Sequence, residues 1–280
     1  MRGHPPHELL GVRCSDDTEN EYPWRNYITP TQIPWLRGLA IQGQILFPAA
    51  GFAAMALEAS KLLADGEGNH LVEIRDFNIH RALAFADEAA SVETLFTRSI
   101  DPDIVSCQES ITAAFTCNFC SNRDTGEFTS CANGRLILRI GQPSSTALPK
   151  RLAAGHKLTE IDVDKFYDYL AGIGYHYTGE FRGISELRRG GNWASGQIFC
   201  PITPGYTCPF VLHPVTLDVV FQGVLAAIGA PNDGSLWTLQ VPTKISRIKI
   251  NPFALPPNGG LGTELFFDAG LEPSQEFHVV

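Results

Sequence analysis

Thr216-Leu217-Asp218-Val219-Val220-Phe221-Gln222-Gly223-Val224-Leu225-Ala226-Ala227-Ile228 reads as a helix with little to show to water. Leu217, Val220, Phe221, Val224, Leu225 and Ile228 recur at helical spacing and form an apolar stripe. Asp218 and Gln222 stand one turn apart, so their side chains share a face. A second run, residues 52–63, predicts another helix. Ala53, Ala54, Met55, Ala56, Leu57, Glu58 and Ala59 are mostly strong helix formers, with Pro48 and Gly51 before them and Asp65-Gly66 after. Helices this apolar have to be wrapped on most sides, and a curved sheet around each one does that.

The strands for those sheets are legible around both helices. In the first half, residues 71–79, 82–85, 92–100, 110–119 and 135–140 have strand character, separated by breakers such as Asp101-Pro102 and Asn133-Gly134. In the second half, residues 181–188, 193–199, 236–241, 245–250 and 264–268 have it too. A short amphipathic helix over 162–171 carries Phe166, Tyr169 and Leu170 on one face. Residues 142–158, with Pro143, Ser144, Ser145 and Pro149, lack periodicity and read as a linker. The expectation is an α+β protein in two halves, 1–141 and 159–280.

Composition narrows the function classes. The chain has 280 residues, 44% hydrophobic and 18% charged, ordinary for a globular protein. No apolar run reaches the roughly 18 residues of a membrane span, and the first residues lack a signal core, so a cytoplasmic setting without membrane contact is expected. A net charge of −9 argues against nucleic acid as a partner. Two small basic clusters run against that balance: Arg182, Arg188 and Arg189, and Lys244, Arg247 and Lys249. Each is a solvated surface or a dock for an acidic carrier protein. Seven cysteines favour free thiols. Cys117-Asn118-Phe119-Cys120 has metal-like spacing, but no second pair completes a zinc site, and Phe115, Cys117 and Phe119 alternate as on a strand.

Several stretches, in order, carry a family resemblance. They are Pro6-His7-Glu8-Leu9-Leu10-Gly11-Val12-Arg13, then Glu21-Tyr22-Pro23-Trp24-Arg25-Asn26, then Trp35-Leu36-Arg37-Gly38 leading into Leu39 to Pro48. Gly174-Tyr175-His176-Tyr177-Thr178-Gly179-Glu180-Phe181 follows, with Glu180 in place of a usual proline. Leu212-His213-Pro214-Val215-Thr216-Leu217-Asp218-Val219-Val220-Phe221-Gln222 and Leu236-Trp237-Thr238-Leu239-Gln240-Val241-Pro242-Thr243 close the series. Together they resemble the dehydratase domain of fungal highly reducing polyketide synthases, including hybrids with a peptide synthetase. The resemblance spans essentially the whole chain and implies a double hot-dog fold, with one active-site motif at 39–48 and another at 213–222.

The first motif reads His-x-x-x-Gly-x-x-x-x-Pro in the family. Gly43 and Pro48 fall in place here, but Leu39 occupies the histidine position. Dehydrating a β-hydroxyacyl thioester requires one group to take the α-proton and another to protonate the leaving hydroxide. The resemblance assigns the first task to the missing histidine and the second to Asp218, one from each half. Gln222 would orient Asp218 or a water. Gly43, Pro48, Tyr175, Tyr177, Gly179, Phe181 and His213 would line the substrate region, with Gly43 permitting close backbone approach and its amide polarising the thioester carbonyl. Without the family, Asp218 is a carboxylate near a helix N-terminus, His213 is structural, and His176 and His80 are surface or satisfied histidines rather than substitute bases.

No metal or organic cofactor is implied beyond a phosphopantetheine arm on an acyl carrier protein. The implied partners are that carrier, the polyketide chain and the other domains of a synthase that is itself a dimer. Three readings then compete: a dehydratase-type domain that has lost dehydration, the same site turned to isomerisation or cyclisation through Asp218, and a working dehydratase whose histidine was replaced on purpose.

Overall fold

The computed structural model describes residues 6–15, 18–63, 69–100, 110–120, 126–141, 147–148, 151, 157–202, 210–231, 233–271 and 277–279. Along them run β1 (Val12–Arg13), β2 (Glu21–Ile28), β3 (Leu39–Ile41), β4 (Gln44–Ile45), α1 (Ala49–Ser60), β5 (Asn69–Ile79), β6 (Val92–Ile100), β7 (Ser110–Cys120), β8 (Thr129–Ile140), β9 (Thr159–Glu160), α2 (Val163–Ile173), β10 (Tyr175–Tyr177), β11 (Ile184–Gly190), β12 (Trp193–Phe199), α3 (Pro214–Ile228), β13 (Lys244–Ile250), β14 (Glu264–Leu271) and β15 (Phe277–Val279).

They form two compact units. The first comprises Met1–Leu36, Leu46–Leu148 and Pro242–Leu255. Its seven strands make an antiparallel sheet in the order β1-β2-β6-β7-β8-β5-β13. Helix α1 packs on β5 and β8, and every residue from Ala50 to Ser60 is buried. The alanines that favour helix also let the sheet come close. Phe77, Phe96 and Phe115 fill the interior, with the Phe96 and Phe115 rings stacked 5.8 Å apart. Glu58 is the one carboxylate on α1; Lys61 meets it at 2.6 Å and His7 Nε2 at 3.3 Å. Buried Arg98 donates to the Ala59 carbonyl at the helix C-terminus, where a cation suits the helix dipole.

The second unit comprises Arg37–Ile45, Pro149–Val241 and Pro256–Val280. It holds a five-stranded sheet, β15-β14-β12-β11-β9, and a three-stranded one, β10-β3-β4. Helix α3 packs against β11, β12 and β14. Gly223 permits that approach, since a Cβ there would sit 2.7 Å from the Phe267 ring. At the far end of α3, Arg189 donates to the Ala226 and Ile228 carbonyls at 2.9 and 3.0 Å.

Several expectations shift. Helix α1 starts and ends three residues earlier than the predicted 52–63, because Pro48 already supplies an extended N-cap. Residues 82–85 make only an isolated bridge, Leu46 to Ala84. Residues 236–241 form no strand. There the Tyr175 hydroxyl donates to the Gln240 carbonyl and accepts from its N–H, doing for the backbone what a ladder would have done. The strand expected from 181 begins at Ile184, after a 3-10 turn over Gly179–Phe181.

Chain order is crossed twice. Arg37–Ile45 joins the second unit because β3 pairs with β10, and β13 joins the first because it pairs with β5. The first motif's Leu39 therefore shares a unit with Asp218, rather than standing in the opposite half. Most of the expected linker lies outside the described residues. Arg151, which is described, is clamped by two 2.8 Å bonds to Asp268 on β14.

Candidate functional site

Asp218 and Gln222 project from the second and third turns of α3. The helix begins at Pro214, whose missing N–H costs nothing at that position. His213 is its N-cap: Nδ1 accepts from the Val215 N–H at 3.2 Å, and the His213 N–H donates to Gly259 at 2.9 Å. Burial pushes the imidazole pKa down to about 3. His213 is therefore a neutral cap with Nδ1 as acceptor, and its ring packs edge-on against Phe210. Its Nδ1 is thereby committed to capping α3.

Asp218 is 8% exposed, and burial raises its carboxyl to about 7, against a smaller lowering by Gln222. Gln222 is held from three sides. Its Nε2 donates to the Phe181 carbonyl at 2.9 Å and to Asp218 Oδ2 at 3.4 Å. Its Oε1 accepts from the Tyr167 hydroxyl at 2.9 Å. That hydroxyl accepts in turn from the Ile184 N–H at 3.1 Å. The Phe181 carbonyl can only accept, so Nε2 is the end of Gln222 that faces it and Asp218, and the phenol donates to Oε1, its nearer acceptor at 2.9 Å against 3.5 Å to the Phe181 carbonyl. The network hands Asp218 a hydrogen bond and offers no acceptor for its proton.

Leu39, 5% exposed, opens β3 and sits directly across from Tyr177 on β10. Tyr177 is half-buried. Burial first, then the charge of Asp218 and the neighbouring phenols, push its pKa well above the ordinary range, so it stays a neutral hydroxyl. The Tyr175 ring stacks on it at 6.1 Å, but the Tyr175 hydroxyl is spent on Gln240. Phe181 is fully buried against Gly38, where any Cβ would come within 2.6 Å of its ring. Buried Cys200 is also near, its thiol raised to about 12 chiefly by burial. Leu39, Tyr175, Tyr177, Phe181, Asp218 and Gln222 thus belong to one unit.

Gly43 lies in a tight turn. Ile41 pairs with Gln44, so Gln42 and Gly43 are a two-residue hairpin loop, with φ of 51° and 82°. That is the type I′ geometry, which calls for glycine. Gly43 is exposed, and nothing lies within 4 Å of where its Cβ would be. The turn, not a close approach within the chain, explains it. Gly179 likewise has positive φ (56°) in its 3-10 turn. Pro48 caps α1 in the first unit. His176 is exposed on β10, and His80 lies just past β5, bonded to Asn133. Among the described residues no cluster of metal-ligating groups occurs, and five cysteines are free thiols.

Two family models match this chain. One, described as the polyketide synthase dehydratase domain, matches residues 7–105; the other, described as the polyketide synthase dehydratase N-terminal domain, matches residues 145–265. The chain belongs to the polyketide synthase dehydratase domain family.

The relatives of this dehydratase-family domain include the hybrid PKS-NRPS synthetase buaA of Petromyces alliaceus, 46% identical over 98% of the chain. The highly reducing polyketide synthase milA of Cordyceps militaris is 44% identical over 93%. The chain spans only 7% and 11% of those proteins. Among solved structures, the dehydratase domain from the CurF module of curacin polyketide synthase matches with TM-score 0.79 at 20% identity, covering 98% of this chain and 93% of that one. An inactive CurK dehydratase with a histidine replaced by phenylalanine gives 0.78 at 22%, covering 98% and 92%. These likenesses establish the fold, α+β and double hot-dog, with one sheet-wrapped helix in each unit.

Tyr167 is the residue near Asp218 of this dehydratase-family domain that does not stand out in the sequence. It fell between Phe166 and Leu170 on a helix read for its apolar face, and only the bond to Gln222 reveals its place. The pattern Phe166-Tyr167 at the start of a buried face was the available signal, since a buried tyrosine needs a partner for its hydroxyl.

Proposed function

We propose that this polyketide synthase dehydratase-type domain receives β-hydroxyacyl chains on the phosphopantetheine arm of an acyl carrier protein, and that dehydration is lost because Leu39 stands at the base position. The observation that carries the reading is the contrast around Asp218. That carboxyl is buried, raised to about 7, and oriented by Gln222 and Tyr167. It can hold a proton near neutral pH, as an acid for a departing hydroxide must. Leu39 in the same unit offers only methyl groups. Of the histidines weighed as a substitute base, His213 is a buried cap, and His176 and His80 are exposed.

The solved CurK dehydratases support pairing a histidine with an aspartate, since variants of that protein with histidine changed to phenylalanine, or aspartate to asparagine, are inactive. On this reading the domain acts inside a multidomain, dimeric, cytoplasmic synthase, holding or guiding the chain between other domains. No helix among the described residues is long and apolar enough to cross a membrane.

The test is Leu39→His, assayed with a β-hydroxyacyl pantetheine thioester. A gain of dehydration supports the reading. Equal rates for the unchanged domain and Leu39→His would refute it.

A further inference from the structure

The first unit carries a basic field that the overall charge does not foretell. Residues alternate across β5 and β8. Val72, Ile74, Leu136 and Leu138 are buried on the side of α1, so Glu73, Arg75, Arg135 and Arg139 lie on the opposite face. Strand β13 pairs with β5 and adds Lys244, Arg247 and Lys249. Two carboxylates organise the cluster. Glu73, with a side chain only 2% exposed, has Arg75 at 2.7 Å, Arg139 at 3.5 Å and Arg247 at 3.9 Å. Burial raises its pKa, but the bond to Arg75 and the charges of Arg75, Lys249 and Arg139 outweigh that and hold it below the usual range. Asp76 bonds Arg135 and lies in the fields of Lys244 and Arg75.

Six cations therefore surround two carboxylates, on a chain whose net charge is −9. Glu73 is covered, whereas Arg75, Arg139, Arg135 and Arg247 remain 32%, 46%, 55% and 53% exposed. Charged side chains on an edge strand guard against edge-to-edge pairing, and that accounts for Lys244, Arg247 and Lys249. It does not account for Arg75, Arg135 and Arg139, which lie on interior strands. A rigid sheet presents these charges in fixed register, which favours a complementary protein surface.

We propose that the outer face of β8, β5 and β13 is a docking surface for an acidic protein partner, the carrier protein that delivers the acyl chain. This rests on the carrier reading given under Proposed function. Complementary charge would chiefly speed encounter and set orientation, so the association rate should fall with salt.

The experiment is binding of a phosphopantetheinylated acyl carrier protein, measured by stopped-flow fluorescence at 50 and 300 mM salt. The triple variant R135Q/R247Q/K249Q is compared with a control, K165Q/R188Q, on the second unit. Circular dichroism melts verify that both fold. The proposal expects association to slow about tenfold in the triple variant at low salt, with little salt dependence left, while the control matches the unchanged domain. If the carrier binds the unchanged domain and the triple variant alike, or the control alone weakens it, the surface is wrong and the carrier reading stands. If the carrier fails to bind the unchanged domain even at 50 mM salt, both fall. Tight binding of a single-stranded oligonucleotide, lost in the triple variant while carrier binding is not, would also overturn the proposal.

Discussion

Leu39 and Tyr177 occupy directly paired positions of β3 and β10. Leu39, proposed above to stand where a base would be, is thus held in a hairpin beside a neutral phenol that feels the charge of Asp218. On the proposed reading, Asp218 keeps its hydrogen-bonded support from Gln222, while Leu39 offers only an aliphatic side chain.

The raised carboxyl of Asp218 ties the site to stability. Its folded pKa, about 7, lies above an ordinary 3.8, so the folded state holds the proton more tightly than the unfolded one. The fold therefore suffers no penalty from this group below about pH 4 and loses stability as pH rises through about 7. The full span is worth up to roughly 4 kcal/mol. Asp218→Asn should be more stable than the unchanged domain at pH 8 and not at pH 4, read from urea midpoints. Equal differences at both pH values would contradict the burial argument.

His213 shifts the other way. With its folded pKa depressed to about 3, its contribution is fully present above about 6.5 and is lost as pH falls through that value towards 3. Nitrogen-detected NMR of the imidazole should show neutral His213 with its proton on Nε2, and no titration between pH 5 and 8. A midpoint near 6.5 would disprove the capping account.

Tyr167→Phe removes the hydroxyl that bridges the Ile184 N–H and Gln222 Oε1. Two buried polar groups then lack their partner, which should cost about 2 kcal/mol in denaturant unfolding. Gln222 keeps its bond to the Phe181 carbonyl but loses its anchor at Oε1, so it holds Nε2 on Asp218 less firmly and the pH at which the Asp218 carboxyl ionises should rise. An infrared titration of the carboxyl band follows it. An unchanged midpoint would mean Tyr167 does not orient Gln222.

Gln42 is a non-glycine residue with φ of 51° in a type I′ turn. Asparagine tolerates that conformation better, so Gln42→Asn should stabilise the domain by about 0.5 kcal/mol. A lower melting temperature would show that the side chain of Gln42, rather than its backbone, matters there.

The fold was legible where periodicity was strong. Both long helices and strands such as β6 and β12 could be read from residue spacing, because burial on one or both faces writes itself into the pattern. The short β3, β4 and β10 were not, since two or three residues carry no period, and they are what bring Leu39 to the unit of Asp218. Strand β2, with Pro23 and exposed Arg25 and Tyr27, was hidden by its polar face. The i,i+4 spacing put Asp218 and Gln222 on one face, and the family resemblance, not the spacing, singled them out as candidate site residues. For Tyr167, 55 residues from Gln222 in sequence, the local pattern signals a buried tyrosine but not which partner its hydroxyl takes.

The central claim is that Leu39 alone separates this domain from dehydration. The most direct measurement is turnover of a β-hydroxyacyl pantetheine thioester by the unchanged domain, Leu39→His, and Leu39→His with Asp218→Asn. The account predicts a gain of roughly 10²- to 10⁴-fold on restoring histidine, abolished by the second change. Dehydration by the unchanged domain at the rate of Leu39→His would contradict it.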